Sequence, residues 1–235
     1  MPNKGYTLLD ENSQLVGVST PYGEMYIYAG ASPITIRTTG KYHLVTGFST
    51  GAVNKFTFDA GSFGNVTDTA DNGSGKLRIT TDMSHGLVDG EIVSIVGLTT
   101  AGQNGITRIT NIGDTTFDCQ DISFATADEI GHWTQGSSLK AGVGAAGIYL
   151  ATMSTSITSG GNNKKYKWEI FKNAAEQNNI SITRLIATGA DEGAVAASGI
   201  ITIAEGDYVT FAVQNFTDTT SVTHINSNVN LVKIG

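Results

Sequence analysis

The stretch 194–216 reads AVAASGIITIAEGDYVTFAVQNF, and it predicts two apolar strands joined by a tight turn. Ile201 and Ile203 point to one side before the turn, and every second residue from 209 to 213 is apolar after it. Period two is typical of a strand with one buried face. Gly206 supplies the positive φ that a short hairpin needs. The stretch therefore favours the centre of a β-sandwich over a site of chemistry.

The composition indicates that the β character extends over the whole chain. The 235 residues include 29 glycines but only 3 prolines, with Thr, Ser, Ile and Val throughout. Hydrophobic residues make up 40% of the chain and charged residues 15%, which is typical of a folded rather than a disordered protein. Such a mixture predicts an all-β protein of many short strands and turns.

Charge and targeting signals exclude several classes of partner. The net charge is −7, and the densest basic cluster is KKYK at 164–167, so binding to nucleic acid or an anionic membrane is not expected. No apolar run approaches the ~20 residues of a membrane helix. Cys119 is the single cysteine, which rules out an intrachain disulfide, and its strand-like context predicts a small buried residue. The N-terminal sequence has no apolar signal-peptide core, which indicates synthesis in a cytoplasm.

Residues 1–21 differ in pattern from the rest of the chain and are predicted to form an extended N-terminal arm that ends at Pro21. A frayed terminus without a role is the alternative, because chain termini are often loose. A free tail would leave five apolar side chains in water, so we favour docking of this segment on a partner or a neighbouring subunit. The candidate contacts are Tyr6, Leu8, Leu9, Leu15 and Val16.

Residues 22–59 contain four short strand candidates separated by glycines. Tyr22, Tyr26 and Tyr28 lie on one face of the first candidate if it forms a single strand. Tyrosine is enriched at protein interfaces, so this face is a candidate subunit interface. A half-buried strand without a partner is the alternative.

Residues 60–136 divide into a polar stretch and a compact β unit. In 60–75, glycine, aspartate and threonine replace apolar residues, which predicts a turn-rich linker. Asp68, Asp71 and Asn72 are conceivable calcium ligands, but their spacing does not match an EF-hand loop. In 76–136, five short strands alternate with Gly- and Asp-rich turns, a spacing that suits a small barrel.

Four motifs follow one another in this unit, each of them weak alone. They are His85-Gly86-Leu87, Asp89-Gly90-Glu91-Ile92-Val93, Asn104-Gly105 and Asp114-Thr115-Thr116-Phe117. In this order they resemble a small β module found in virion proteins of tailed bacteriophages.

The C-terminal part of the chain, 137–235, contains a strand KKYKWEIFKN in which apolar residues from Tyr166 to Ile170 alternate with charged ones, predicting one wet face. Four motifs follow in this part, namely Gly147-Ile148-Tyr149-Leu150, Phe171-Lys172-Asn173, Gly206-Asp207-Tyr208-Val209 with Phe211-Ala212-Val213, and Asn230-Leu231-Val232. Their order is similar to that in the jelly-roll heads of complement and tumour-necrosis-factor-like proteins, which form trimers. The resemblance implies a jelly-roll β-sandwich formed by 22–59 and 137–235. It makes 60–136 an inserted small barrel-like domain, and residues 1–21 remain the arm.

No catalytic, cofactor or metal site is predicted. His43, His85, His132 and His224 are scattered, and one cysteine adds too few ligands for zinc. The segment 142–147 spells GxGxxG, but a strand-like sequence comes after it where a dinucleotide site needs a helix. The adjacent carboxylate pairs 128–129 and 191–192 would point apart on strands. We therefore expect no enzyme and no cofactor.

The expected function is that of a non-enzymatic virion structural protein. The favoured role is a trimeric capsid decoration (cement) protein on the capsid exterior, made in the bacterial host cytoplasm, with itself and the major capsid protein as partners. A receptor-binding tip or tail-fibre head that contacts a host surface receptor is the alternative. An exposed aromatic residue such as Trp133 would support that alternative.

Overall fold

We describe the computed structural model of the protein, which covers residues 20–110 and 112–235. The first five strands are β1 (Tyr22–Ile27), β2 (Pro33–Ile34), β3 (Tyr42–Leu44), β4 (Ser49–Asn54) and β5 (Phe56–Asp59). The next six are β6 (Ser62–Asp71), β7 (Lys76–Thr81), β8 (Ile92–Val96), β9 (Gly105–Thr110), β10 (Thr116–Ser123) and β11 (Gly131–Gln135). The last seven are β12 (Ser138–Ala141), β13 (Gly147–Ser159), β14 (Lys164–Lys172), β15 (Ala175–Ile186), β16 (Gly193–Ile203), β17 (Tyr208–Asn215) and β18 (Val222–Lys233). A 3-10 turn, Ala101–Gln103, lies between β8 and β9.

The strands form two antiparallel sheets and a closed barrel. The first sheet has the order β16-β13-β18-β1-β4, with β2 beside β18. The second sheet has the order β15-β14-β17-β12-β5, with β3 beside β17, and β6 to β11 close the barrel. From β12 onward the chain crosses repeatedly between the two sheets, which is the connectivity of a jelly-roll sandwich. The predicted all-β fold class is confirmed.

The sandwich core is built from the residues that alternate along the inner faces of the two sheets. Tyr149 and Met153 come from the first sheet, and Trp168 and Phe211 from the second, and all are buried. Each such side chain contributes about 1.5–3 kcal/mol by leaving water. Tyr149 fits because its hydroxyl donates a hydrogen bond to the carbonyl of Ala145.

The predicted hairpin at 194–216 is partly wrong. Ile201, Ile203 and the alternate residues 209–213 enter one core, as the pattern indicates. However, β16 pairs with β13 and β17 pairs with β14, so the two strands lie in different sheets. The turn, with Gly206 at φ +84°, carries the chain from one sheet to the other. Period two reports which face is buried, and it contains no information on which strand lies alongside.

The barrel interior is filled with apolar side chains. Leu77, Ile79, Ile95, Phe117 and Trp133 are among the residues that pack there. Cys119 also lies inside the barrel, as predicted, and burial raises the pKa of its thiol. A small closed barrel of this size has an interior that side chains fill completely.

The polar stretch 60–75 is mostly a strand, and its assignment as a linker is wrong. Residues 62–71 form β6, which pairs with β7 on one side and β11 on the other. Only Val66 and Thr69 of this strand are fully buried, so its polar composition reflects a wet outer face. Gly64 lies opposite Trp133, and a Cβ atom there would meet the indole nitrogen at 2.7 Å. The turn proper is 72–75, where the side chains of Asp71 and Asn72 accept backbone hydrogen bonds.

The barrel is attached to the second sheet. Its segment leaves the sandwich after β5 and returns in β12, and these two strands pair directly, with Asp59 opposite Ser138. Ile92 of the barrel packs with Leu44, Phe171 and Tyr208 of the sandwich in one buried cluster. The barrel therefore covers part of the outer face of the second sheet, and β17 is buried along its whole length.

Candidate functional site

The outer face of the first sheet carries a row of exposed apolar side chains. Register places Ile200 beside Leu150, Leu150 beside Val232, and Val232 beside Tyr22. Their exposed fractions are 59% for Ile200, 39% for Leu150, 46% for Val232 and 40% for Tyr22. Neighbours on one sheet face contact each other, so these four form a continuous strip across four strands, which we call the exposed row.

Two more aliphatic residues extend the exposed row toward the end of the sheet. Ile148 lies two residues before Leu150, and Ile234 donates a backbone hydrogen bond to the carbonyl of Ile148. Both side chains are exposed. Monomeric soluble proteins rarely leave large contiguous apolar patches in water, so the exposed row is a candidate interaction surface.

The rest of this face is polar and has a shallow hollow. Glu24 lies beside Asn230 in the register and accepts hydrogen bonds from Asn228 and from the backbone of Ala52. The hollow has a volume of about 370 Å³ and is lined by small residues of β13, β16 and β18. Two of its lining residues, Thr155 and Ser227, are buried and joined by a hydrogen bond of 2.7 Å between their hydroxyls.

The tyrosines predicted to form a subunit interface lie in two different settings. Tyr22 and Tyr26 are in β1, both exposed on the outer face of the first sheet. Tyr28 comes just after the end of β1 and is also exposed, but it is not part of the strand. The predicted capsid-contact residues Tyr6, Leu8, Leu9, Leu15 and Val16 lie outside the described residues.

The aliphatic members of the exposed row are absent from the sequence-based predictions. A usable signal is present, because Ile148-Tyr149-Leu150 and Leu231-Val232 are consecutive apolar residues on strands. Consecutive apolar residues on a strand indicate that both of its faces are apolar. Alternation alone locates only the core.

Other candidates for chemistry are dispersed. Among residues 20–110 and 112–235, no group of three or more His, Cys, Asp or Glu side chains is arranged to hold a metal ion. The GxGxxG segment leads into β13, a strand, as its sequence indicates. Trp133 is buried in the barrel and is therefore not the exposed aromatic that a receptor-binding tip would present.

A buried polar cluster lies under the barrel, on the outer face of the second sheet. Glu169 is fully buried, and its Oε2 accepts a hydrogen bond from the hydroxyl of Tyr42 and lies 2.6 Å from Nζ of Lys167. Burial, together with the neighbouring Glu169, raises the pKa of Tyr42. The wet face predicted for β14 is therefore wrong at Glu169, which is fully buried and has Tyr42 and Lys167 as polar partners.

Comparison with known proteins identifies no family. No family model matches the chain, and no curated protein matches it in sequence. Among solved structures, Eiger TNF from S. frugiperda matches with a TM-score of 0.34 and 12% identity, over 74% of this chain and 93% of that chain. The insecticidal delta-endotoxin Cry8Ea1 from Bacillus thuringiensis matches with a TM-score of 0.27 and 9% identity, over 92% of this chain and 60% of that chain. The fold described above rests on the strand order of this chain itself.

Within the part of the chain that the structure describes, no helix combines the length and apolarity needed to cross a membrane.

Proposed function

We propose that this protein is a non-enzymatic structural protein of a tailed-bacteriophage virion. In this proposal it decorates the outside of the capsid as a homotrimer and clamps neighbouring copies of the major capsid protein. The observation that carries the self-association is the exposed row on the first sheet. The virion role is supported by the motif order in 85–117 and 147–232, which resembles phage virion modules and trimeric jelly-roll heads.

The exposed row favours association of copies because it is apolar and flat. Burying an aliphatic side chain contributes about 1.5–3 kcal/mol, and association opposes this with about 4–15 kcal/mol of lost freedom. Leu150, Ile200 and Val232 alone offset only the lower part of that range, so a stable contact must also include Tyr22 and its neighbours. A threefold arrangement closes, so all copies make equivalent contacts.

The N-terminal segment is proposed to reach the capsid. Thr20 and Pro21, at its C-terminal end, are held at the edge of the exposed row. The carbonyl of Thr20 accepts a hydrogen bond of 3.1 Å from Asn54, and that of Pro21 accepts one of 3.1 Å from the backbone of Lys233. A trimer would present three such segments from one rigid base. Three modest contacts on one base bind far more tightly than one.

The self-association is tested by reversing the character of the exposed row. The expected mass of the wild-type protein in size-exclusion chromatography with light scattering is that of a trimer, and Leu150→Glu is expected to give a monomer. Leu185→Glu is the matched control, because Leu185 is an exposed leucine on β15 of the second sheet. It should remain trimeric. A monomeric wild-type protein, or a trimeric Leu150→Glu variant, would contradict this part of the proposal.

The capsid role has a separate test. Deletion of residues 1–20 should abolish binding to purified expanded capsids while the trimer survives. Unchanged binding of the truncated protein would rule out the arm mechanism. Immunogold labelling of intact virions should place the protein over the capsid. Label over the tail alone would overturn the decoration role and favour the receptor-binding alternative.

A further inference from the structure

Three adjoining hollows lie along the seam between the sandwich and the barrel. One section, of about 850 Å³, is lined by Arg37 and Thr35 of the sandwich and by Thr67, Ile130 and His132 of the barrel. A smaller hollow shares Arg37 and His132 with this section, and it shares Phe63 with a second section of about 530 Å³. We call the three together the junction groove. It lies away from the exposed row, on a different part of the molecule.

The groove carries positive charge in an acidic protein. The chain has 21 acidic and 14 basic residues, yet among the described residues no aspartate or glutamate lines either section or the space between them. The guanidinium group of Arg37 is exposed and forms no hydrogen bond or ion pair with any described residue. The nearby carboxylate of Asp82 already accepts a hydrogen bond of 2.7 Å from Asn65.

The backbone of Arg37 is fixed, which gives its side chain a defined base. Its amide donates a hydrogen bond of 2.8 Å to Nε2 of His43. Nδ1 of that histidine lies 3.0 Å from the carbonyl of Lys41, so the ring is held on both sides. His132 lines the same section, and burial together with the charge of Arg37 lowers its pKa. The groove therefore places the Arg37 side chain, on an anchored backbone, near the imidazole ring of His132.

The remaining lining is a mixture of apolar and hydroxyl groups. Phe63 is 76% exposed and Ile130 is 71% exposed, which is unusual for such large side chains. The hydroxyl-bearing residues are Ser32, Thr35, Thr46, Thr67, Thr134 and Thr219. An open aromatic ring beside several hydroxyls and one unpaired cation matches a ligand that is polyhydroxylated, ring-shaped and anionic.

We propose that the junction groove binds an acidic oligosaccharide, with a sugar carboxylate on Arg37 and His132 and a sugar ring against Phe63. A peptide fits less well, because β2, the strand of the first sheet at this seam, has only two residues to which a peptide backbone could pair. The proposal does not depend on the capsid role or on trimer formation.

Isothermal titration calorimetry of the full chain tests this proposal. The probes are carboxylated oligosaccharides, namely tetragalacturonate, tetramannuronate, a hyaluronan tetrasaccharide and trimeric sialic acid. The controls are the methyl ester of tetragalacturonate, hexaglutamate and inorganic phosphate. We expect at least one carboxylated oligosaccharide to bind, and the controls to bind at least tenfold more weakly or not at all.

Variants then locate the site. Arg37→Ala should weaken binding at least tenfold, Phe63→Ala should weaken it several-fold, and Arg37→Lys should restore part of the loss. Arg184→Ala is the matched control, because Arg184 lies on β15 and donates a hydrogen bond to the carbonyl of Ala194. Far-ultraviolet circular dichroism checks that each variant folds. No binding by any acidic oligosaccharide, equal binding of the ester or hexaglutamate, binding of phosphate alone, or unchanged binding by Arg37→Ala would each overturn the proposal.

Discussion

The outer faces of the two sheets have opposite fates. On the second sheet the barrel covers the central strands, and even the charged residue Glu169 is fully buried there. On the first sheet no described part of the chain covers the face, and the aliphatic residues Leu150 and Ile200 remain in water. Both faces contain large apolar residues. The difference in their burial therefore comes from what packs on each face and not from the composition of the strands.

The covered face shows what a partner does to such a surface. At the contact with the barrel, Phe171 packs edge-on against Tyr42 with ring centroids 4.8 Å apart, and both rings belong to the cluster that contains Ile92 of the barrel. The bare face has the apolar strip without such a cover. A second copy of the chain on this face would bury its apolar residues, as the barrel does for the second sheet. This comparison underlies the proposed trimer.

The largest expected effect tests how each sheet holds its buried histidine in acid. His43, next to β17 of the second sheet, has its pKa lowered to about 4, mainly by burial. His224, on the inner face of the first sheet, has its pKa lowered to about 3 by the same cause. Its Nε2 accepts a hydrogen bond of 3.0 Å from Trp168, across the core. Both rings are neutral in the fold, so protonation favours the unfolded chain.

Acid should therefore destabilise the protein through these two rings. The unfolded histidines take up protons near their ordinary pKa of 6.5, while the folded ones resist. The full free energy of unfolding is therefore present above about pH 6.5, and it falls as the pH drops toward 4. The free energy of unfolding should fall by an amount on the order of 5 kcal/mol for the pair between about pH 7 and about pH 4. Urea unfolding at each pH measures it. His43→Gln and His224→Gln should each remove part of this dependence, and a pH profile unchanged in both would contradict the assignment.

Sequence pattern predicts the buried faces well and the neighbours poorly. Strands β7 to β11 and the inner residues of β17 can be read from alternation and turn composition. The strand β6 escapes prediction because its outer face is polar, and alternation between threonine and aspartate gives no hydrophobic signal. Burial of Glu169 escapes prediction because its partner Tyr42 is 127 residues away in sequence. Which strands pair, and which outer faces are buried, depends on such long-range contacts. The local alternation of apolar and polar residues does not report them.

The next effect compares a large residue on each outer face. Phe171→Ala, under the barrel, should lower the free energy of unfolding by about 3–5 kcal/mol, because it opens a cavity between barrel and sandwich. Tyr22→Ala, on the bare face, should change it by only about 0.5 kcal/mol. Both are best measured by urea unfolding in the Leu150→Glu background, where association does not contribute. Equal losses would mean that the barrel does not protect the second sheet in solution.

The smallest effect concerns one hydroxyl on each face. The hydroxyl of Tyr42 donates a hydrogen bond to Oε2 of buried Glu169, and Oε1 of that carboxyl group has no hydrogen-bond partner among the described residues. Tyr42→Phe removes that donor and leaves the carboxyl group poorly satisfied, so the expected loss is about 1–3 kcal/mol. The hydroxyl of Tyr26 forms no hydrogen bond with a described residue, and Tyr26→Phe should be neutral within about 0.5 kcal/mol. The two variants differ from the parent by one oxygen atom each, so urea unfolding of both in the Leu150→Glu background isolates the effect of the cover. A neutral Tyr42→Phe would show that water reaches Glu169 beneath the barrel, and the contrast between the two faces would then be one of packing alone.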